Sequence, residues 1–336
     1  MVPVHISISN KRIDFLDNNS YTFAMNIIHL LILPCIVYGS TDTTWDYGAL
    51  GPDMWAEAYP LCGNGMNQSP INIVTSCTVY KQFQEFNFSV GYNELLNFSL
   101  TNNGHTIIAE YGNGSVSKLL VSGGNLDEGM FELQNFHLHW GLNPRQGSEH
   151  TIDEKKYSGE AHFVHLNHVT SQIAVLGFLV EGVEHLENSA WTKYIDVASA
   201  LKTTGNTTMF TANLTSLMNN RSNSDNFFRY NGSLTTPPCT EGIIWTVFKT
   251  PIQIRNSDLE MLRANLFAQD FREPQPKNMR TVYRSVFQQE SSSRAQDYCC
   301  NTRKKRSLFS GAVLSYSSIK YYWAIIIFTY WFNGLF

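Results

Sequence analysis

The chain has 336 residues, 43% of them hydrophobic and 15% charged, with a formal net charge of -4. This is ample apolar material for one large core and too little charge for a disordered or coiled-coil protein, so one main globular domain is expected. The acidic balance argues against a nucleic-acid binder, because the only dense basic run is Arg303 to Arg306 and no Lys/Arg stripe is left to neutralise phosphates.

The first patterned segment is "MNIIHLLILPCIVYGS", residues 25–40. An apolar run of about a dozen residues followed by small Gly39 and Ser40 has the length and order of a secretion signal and its cleavage site. The polar, mixed-charge residues before Met25 do not fit that pattern. Residues 1–40 therefore read as a leader with translation starting at Met25, or as an unusual longer one. The run is well short of the ~20 residues a membrane span needs. Eight N-x-Ser/Thr sequons follow, at Asn67, Asn87, Asn97, Asn113, Asn206, Asn213, Asn220 and Asn231, and with the leader they favour the secretory route and a glycoprotein. Asn67 and Asn231 adjoin motifs that read as packed, so they are the least suited to carry sugar. Cys35 leaves with the leader. In an oxidising compartment the remaining Cys62, Cys77, Cys239, Cys299 and Cys300 can form disulfides, and their odd number leaves one unpaired or bonded to another chain.

From residue 42 to 288 the sequence reads as a sheet-dominated domain with peripheral helices. Short β-rich runs separated by Gly/Asn/Asp turns dominate: "FNFSVGY", "NFSLTNNGHTIIAEY", "KLLVSGG", "MFELQNFHLHW", "EAHFVHLN", "IAVLGFLVEG" and "GIIWTVFKTPI". Helical patterns are few, chiefly "WTKYIDVASALK" and "NSDLEMLRANLF", the second opened by an Asn256 or Ser257 cap. Residues 289–309 form a polar stalk. Over 310–336, small Ser310, Gly311 and Ala312, a spacer "VLSYSSIK" and the 16-residue apolar "YYWAIIIFTYWFNGLF" follow the order of a glycolipid (GPI) anchor signal. That tail is shorter than the ~20 residues of a span and has no Lys/Arg behind it. A competing reading takes "RKKRS" as a processing site that would release a soluble protein.

Within "NFHLHWG" (135–141), His137 and His139 project from one side of a strand and Leu138 from the other. Two imidazoles on one face are half of a metal site, although paired strand histidines are as often surface or hydrogen-bonded core residues. A third ligand must come from a neighbouring strand. "EAHFVHLN" offers His162 and His165, which face opposite sides, so only one can join; Glu160 shares the face of His162. The turn-rich "GLNPRQGSEHTIDEKKYSG" allows that strand to return antiparallel beside the first. Three neutral imidazoles without a fourth protein ligand leave Zn²⁺ an open position for water, the mark of a catalytic site.

Seven stretches, "QSPINI" (68–73), "NNGH" (102–105), "FHLHWG" (136–141), "GSEHT" (147–151), "EAHFVH" (160–165), "AVLGFL" (174–179) and "GSLTTPPCTEGIIW" (232–245), give the chain a further meaning. In order and spacing they resemble the alpha-class carbonic anhydrases, over roughly Trp45 to Phe287. The resemblance implies a mainly β fold with a large twisted, mostly antiparallel central sheet and short peripheral helices. It implies zinc on His137, His139 and His162, with His150 and His165 left as structural or surface histidines. Carbonic anhydrase is itself the type case in which zinc lowers the pKa of its water to about 7, so that a zinc-bound hydroxide attacks carbon dioxide. The expected reaction is reversible hydration of CO₂ to bicarbonate and a proton at the cell exterior.

By the same resemblance Thr235 and Glu149 orient the hydroxide, the threonine passing its own proton to the carboxylate. Glu160 accepts from the third ligand. Asn135 falls where the family usually has a glutamine serving the first ligand; being one methylene shorter, it is expected to reach His137 through a shifted strand or water, with modestly altered zinc affinity. Val164, Val175, Leu234 and Trp245 form the substrate wall, with Thr236 at its rim. His105 is the proton shuttle, titrating near neutrality, with Tyr47 and Asn103 ordering the water between. A disulfide of Cys62 with Cys239 would pin the "SLTTPP" loop that presents Thr235. Two rivals remain: an inactive cell-surface binding module of the same fold, and a zinc peptidase, for which no H-E-x-x-H is present.

Overall fold

The structure, a computed structural model, describes residues 45–112, 118–126, 129–187, 189–218 and 226–287. The leader, the stalk, the anchor signal, Cys299, Cys300 and the sequons at Asn113 and Asn220 lie outside them.

Among the described residues the chain forms fourteen strands. In order they are β1 (Asn72–Ile73), β2 (Val79–Tyr80), β3 (Phe86–Phe88), β4 (Leu96–Asn102), β5 (Ile107–Tyr111), β6 (Leu120–Gly123) and β7 (Phe131–Trp140). There follow β8 (Thr151–Ile152), β9 (Gly159–Leu166), β10 (Ile173–Val183), β11 (Thr207–Ala212), β12 (Phe227–Ser233), β13 (Glu241–Arg255) and β14 (Tyr283–Arg284). The helices are α1 (Trp55–Ala58), α2 (Pro60–Asn64), α3 (Ala190–Ala198), α4 (Leu214–Leu217) and α5 (Asn256–Asn265). Twelve strands make one sheet, ordered β11-β4-β5-β7-β9-β10-β13-β12-β14-β2, with β6 joining β3 to β7. It is mainly antiparallel; β10–β13 and β14–β2 run parallel.

Alternation sorts the two faces of this sheet. Phe136, Leu138 and Trp140 of β7, Ala161 and Phe163 of β9, and Leu176 and Phe178 of β10 enter one large core, which α3 and α5 cover with Trp191, Tyr194, Ile195, Leu259 and Leu262. The intervening residues of the same strands project to the opposite face, where Val175, Leu179, Ile243, Trp245 and Val247 form a smaller cluster. Each fully buried large apolar side chain contributes roughly 1.5–3 kcal/mol, so the helix-covered face holds the sheet and the other face is left for a site.

The structure differs from the sequence expectations in several places. The run "FNFSVGY" is strand only over β3, because Val90–Asn93 coil into a 3₁₀ turn. The first predicted helix ends at Ala198, where the N–H groups of Ala200 and Leu201 turn to the carbonyls three residues back. In α5 the cap residue is Arg255, not Asn256 or Ser257, and the Asn256 amide donates to Glu184 Oε1 instead. Strands β11 and β12, and the two-residue strands β1, β2, β8 and β14, lie outside the expected β-rich runs. The Asn67 and Asn231 side chains are exposed, yet the serines of their sequons are buried: Ser69 N–H donates to Ser233 Oγ (2.8 Å) and Ser233 N–H to Ser69 Oγ (3.0 Å).

Candidate metal centre

Strands β7 and β9 pair with His137 opposite His162 and His139 opposite Glu160. The antiparallel return thus brings three imidazoles to one place, and one nitrogen from each lies within 4.8 Å of the others. His165 falls on the other face of β9, where Tyr92 OH meets its Nε2 at 2.8 Å.

The far nitrogen of each imidazole is occupied. His137 Nδ1–H donates to Asn135 Oδ1 at 3.0 Å; a register shift between Leu133 and Asn135 precedes the contact, so the shorter amide reaches the ring without water. His139 Nδ1–H donates to the Asp270 carbonyl at 2.5 Å, and His162 Nε2–H to Glu160 Oε1 at 2.9 Å. A carbonyl and a carboxylate only accept, so in a neutral ring the proton sits on the far nitrogen and His137 Nε2, His139 Nε2 and His162 Nδ1 are the nitrogens left to face one another. His139 Nε2 is buried with no hydrogen-bond partner. Burial, with His139 and His162 adding to it, pushes His137 well below the ordinary histidine value, which keeps it in the neutral form that binds a cation. These residues fit a metal ion.

Glu160 is the centre of the support beneath. Its Oε1 also accepts from His150 Nδ1 (2.7 Å), while Oε2 takes the N–H groups of Glu149 (3.0 Å) and His150 (2.7 Å). Burial opposes its ionisation, but the charge and hydrogen bond of His150, then those of His162, hold it well below the ordinary carboxylate range. His150, Glu160 and His162 also lie close enough to suggest a second metal set. Their nitrogens and oxygens are already bonded to one another, and His150 Nε2 meets Tyr230 OH at 2.6 Å, so this group is a hydrogen-bonded brace. Glu149 Oε1 accepts from Arg272 N–H at 2.9 Å. Its Oε2 has no hydrogen-bond partner and leans towards His139 Nε2 (3.7 Å) and His162 Nδ1 (3.9 Å), so Thr235 and Glu149 are not bonded to each other in this structure.

An apolar wall stands beside the histidines. Register aligns Val164, Val175 and Trp245 across β9, β10 and β13, and Leu234 packs on the same cluster. The Trp245 and His162 rings are 4.9 Å apart. Trp245 Nε1–H holds the Ser233 carbonyl at 2.9 Å, anchoring the loop that carries Leu234, buried Thr235 and half-buried Thr236. The far end of that loop is fixed by the Cys62–Cys239 disulfide. Arg272 secures it from below, donating to the Cys62 carbonyl (2.6 Å), the Ser69 carbonyl (2.8 Å) and Gln68 Oε1 (2.9 Å).

At the rim, the His105 ring stacks on Trp45 with centroids 3.6 Å apart, and its Nδ1 has no hydrogen-bond partner. Burial lowers its pKa from the ordinary value, against the Asp46 charge. Asn103 Oδ1 accepts the N–H groups of His105 (2.9 Å) and Thr106 (2.8 Å), so this amide shapes the loop itself. Tyr47 packs edge-on to Trp45 and Trp55. Burial, then the charges of Glu149 and Asp270, hold its hydroxyl well above the usual tyrosine range, with Arg272 opposing. Asp270 and Arg272, both essential to this geometry, carried no motif that sequence reading could find.

A large mixed sheet carrying three imidazoles that could hold a metal ion beside an apolar wall is the arrangement the fold presents. The chain belongs to the eukaryotic-type carbonic anhydrase family, whose model matches residues 50–291. It is 34% identical to carbonic anhydrase 7 of Mus musculus over 261 residues, 71% of this chain and 96% of that protein. With carbonic anhydrase 4 of Oryctolagus cuniculus it shares 33% over 264 residues, 74% of this chain and 82% of the relative. With carbonic anhydrase 12 of Homo sapiens the figures are 31% over 273 residues, 75% and 72%. Family membership supports carbon dioxide hydration as the general activity.

Proposed function

We propose that this protein is a zinc-dependent carbonic anhydrase of the outer cell surface, interconverting CO₂ and water with bicarbonate and a proton. The observation that carries the reading is the convergence of three imidazole nitrogens whose far ring nitrogens are held by acceptors. When bound, zinc supplies a water acidic enough to become a nucleophile near neutral pH.

The residues around it have separate tasks. Val164, Val175, Leu234 and Trp245 hold an apolar gas molecule and keep competing water away. Thr235 and Glu149 would orient the metal-bound nucleophile if the Thr235 hydroxyl turned to Glu149 Oε2, the carboxylate oxygen that has no partner here. His105, stacked on Trp45 at the rim, then carries the surplus proton from the site to buffer.

The leader, the sequons and the Cys62–Cys239 disulfide support an oxidising, exterior compartment. Among the described residues no helix is long and apolar enough to cross a membrane, and the tail 310–336 supports a glycolipid anchor.

Metal analysis of His137→Ala, His139→Ala and His162→Ala tests the centre: each is expected to purify without zinc and without hydratase activity, and one variant with both intact would sink the assignment. Phosphatidylinositol-specific phospholipase on intact cells should release the activity. Activity that stays with the membrane until detergent extracts a chain still bearing the tail would favour a span.

A further inference from the structure

Asp270 lies outside every motif, yet it is fully buried and touches two parts of the site at once. Its carbonyl accepts His139 Nδ1–H at 2.5 Å, and its N–H donates to the Trp140 carbonyl at 3.1 Å. The side chain reaches further: Oδ1 accepts Trp140 N–H at 2.7 Å, and Oδ2 lies 2.9 Å from Thr106 Oγ1. Among the described residues no Lys or Arg pairs with it. A buried carboxylate without a cation is costly and persists only where its oxygens are matched by donors, so these contacts define its position closely.

Thr106 directly follows His105 and precedes β5, and its hydroxyl also lies 3.2 Å from the Leu138 carbonyl between the two ligands of β7. We propose that Asp270 is a positioning residue that couples the shuttle loop to the second metal ligand, its carbonyl orienting His139 while its carboxyl group holds Thr106 and hence His105. The inference rests on the zinc reading above. Asn103 fixes the same loop from the other side through the His105 and Thr106 N–H groups, so Thr106 is the point where the two restraints meet.

The coupling separates two kinetic quantities. His105 acts after bicarbonate is formed, so looser placement of its loop lowers kcat in weak buffer and leaves kcat/KM alone. Looser placement of His139 lowers metal affinity. The test uses zinc-loaded full-length protein with Thr106→Val, Asp270→Ala and Asp270→Asn, measuring zinc competition against a chelator and CO₂ hydration in weak and imidazole buffers. Thr106→Val should lose roughly tenfold in weak-buffer kcat, regain it with imidazole, and keep its zinc affinity and kcat/KM. Asp270→Ala should show that loss and bind zinc roughly tenfold more weakly. Asp270→Asn, whose amide can accept from Trp140 N–H and donate to Thr106 Oγ1, should hold zinc like the parent.

Three results would overturn the coupling: a normal weak-buffer kcat in Thr106→Val, a normal zinc affinity in Asp270→Ala, or a parallel fall of kcat and kcat/KM in Thr106→Val that marks general loosening. A parent protein that holds zinc but hydrates no CO₂ would count against the proposed reaction, while the zinc measurements would still decide the role of Asp270.

Discussion

His105 differs from the three clustered imidazoles in its surroundings, and the difference sets its job. The ligands hold their far nitrogens against acceptors, whereas the His105 ring stacks on Trp45 at the rim. Burial lowers its pKa below the ordinary value against the pull of Asp46. In hydration it must accept a proton, so it works in its neutral form. The advantage of the parent over His105→Ala in weak buffer should therefore be full at and above neutrality, persist somewhat below the ordinary histidine value, and fade as pH drops through the lowered pKa. Added imidazole should restore much of the variant's rate; no rescue at any pH would remove His105 from the proton path. Much of the site was legible in the sequence, because His137 with His139, and Glu160 with His162, sit at strand spacings that announce a shared face. Asp270 and Arg272 were not. Their contacts span 131 and 123 positions, to His139 and Glu149, and begin in a loop with no pattern of its own.

Among the elements, β10 sits nearest the centre without contributing a ligand. Its Gly177 lies opposite His162, and a Cβ there would come within 3.2 Å of Glu160 Oε1 and 3.7 Å of His162 Cδ2. The glycine is needed for close approach. Gly177→Ala should keep the fold, read by circular dichroism, yet bind zinc several-fold more weakly, within the roughly 10–100-fold range of lost ligand support. Unchanged affinity would mean that Glu160 has slack to move. The loop after β12 depends on the Cys62–Cys239 bridge, which closes a sequence separation of 177 residues. Cys62→Ser should cost about 2–5 kcal/mol in denaturant unfolding; a loss below measurement would show that Arg272 and Trp245 hold the loop alone. Strands with clean alternation, such as β7 and β9, were readable, and β12 was hidden because buried Arg229 interrupts its apolar side chains. The α5 cap was misread because Arg255 ties Asp258 in the first turn, where the pattern suggested a side-chain cap from Asn256.

Over the whole molecule, acid is the condition that exposes hidden cost. His165 is buried against Tyr92, and burial pushes its pKa down from 6.5 to about 4. The folded state thus prefers the neutral ring: the stability from this preference is complete above about pH 6.5 and is lost as pH falls towards 4. A shift of about 2.5 units corresponds to about 3 kcal/mol. Replacing His165 with asparagine, with metal chelated in both proteins, should flatten the acid side of the stability profile by about that amount; parallel profiles would show that the buried ring does not titrate in this range. The central claim concerns the metal and the reaction together. Its most direct measurement is stopped-flow CO₂ hydration on the purified protein before chelation, after removal of metal, and after return of zinc at increasing ratio. Activity should vanish with the metal and rise linearly to a plateau at one zinc per chain. A protein that takes up one zinc and remains inactive would contradict the account and leave a binding module on a carbonic anhydrase fold.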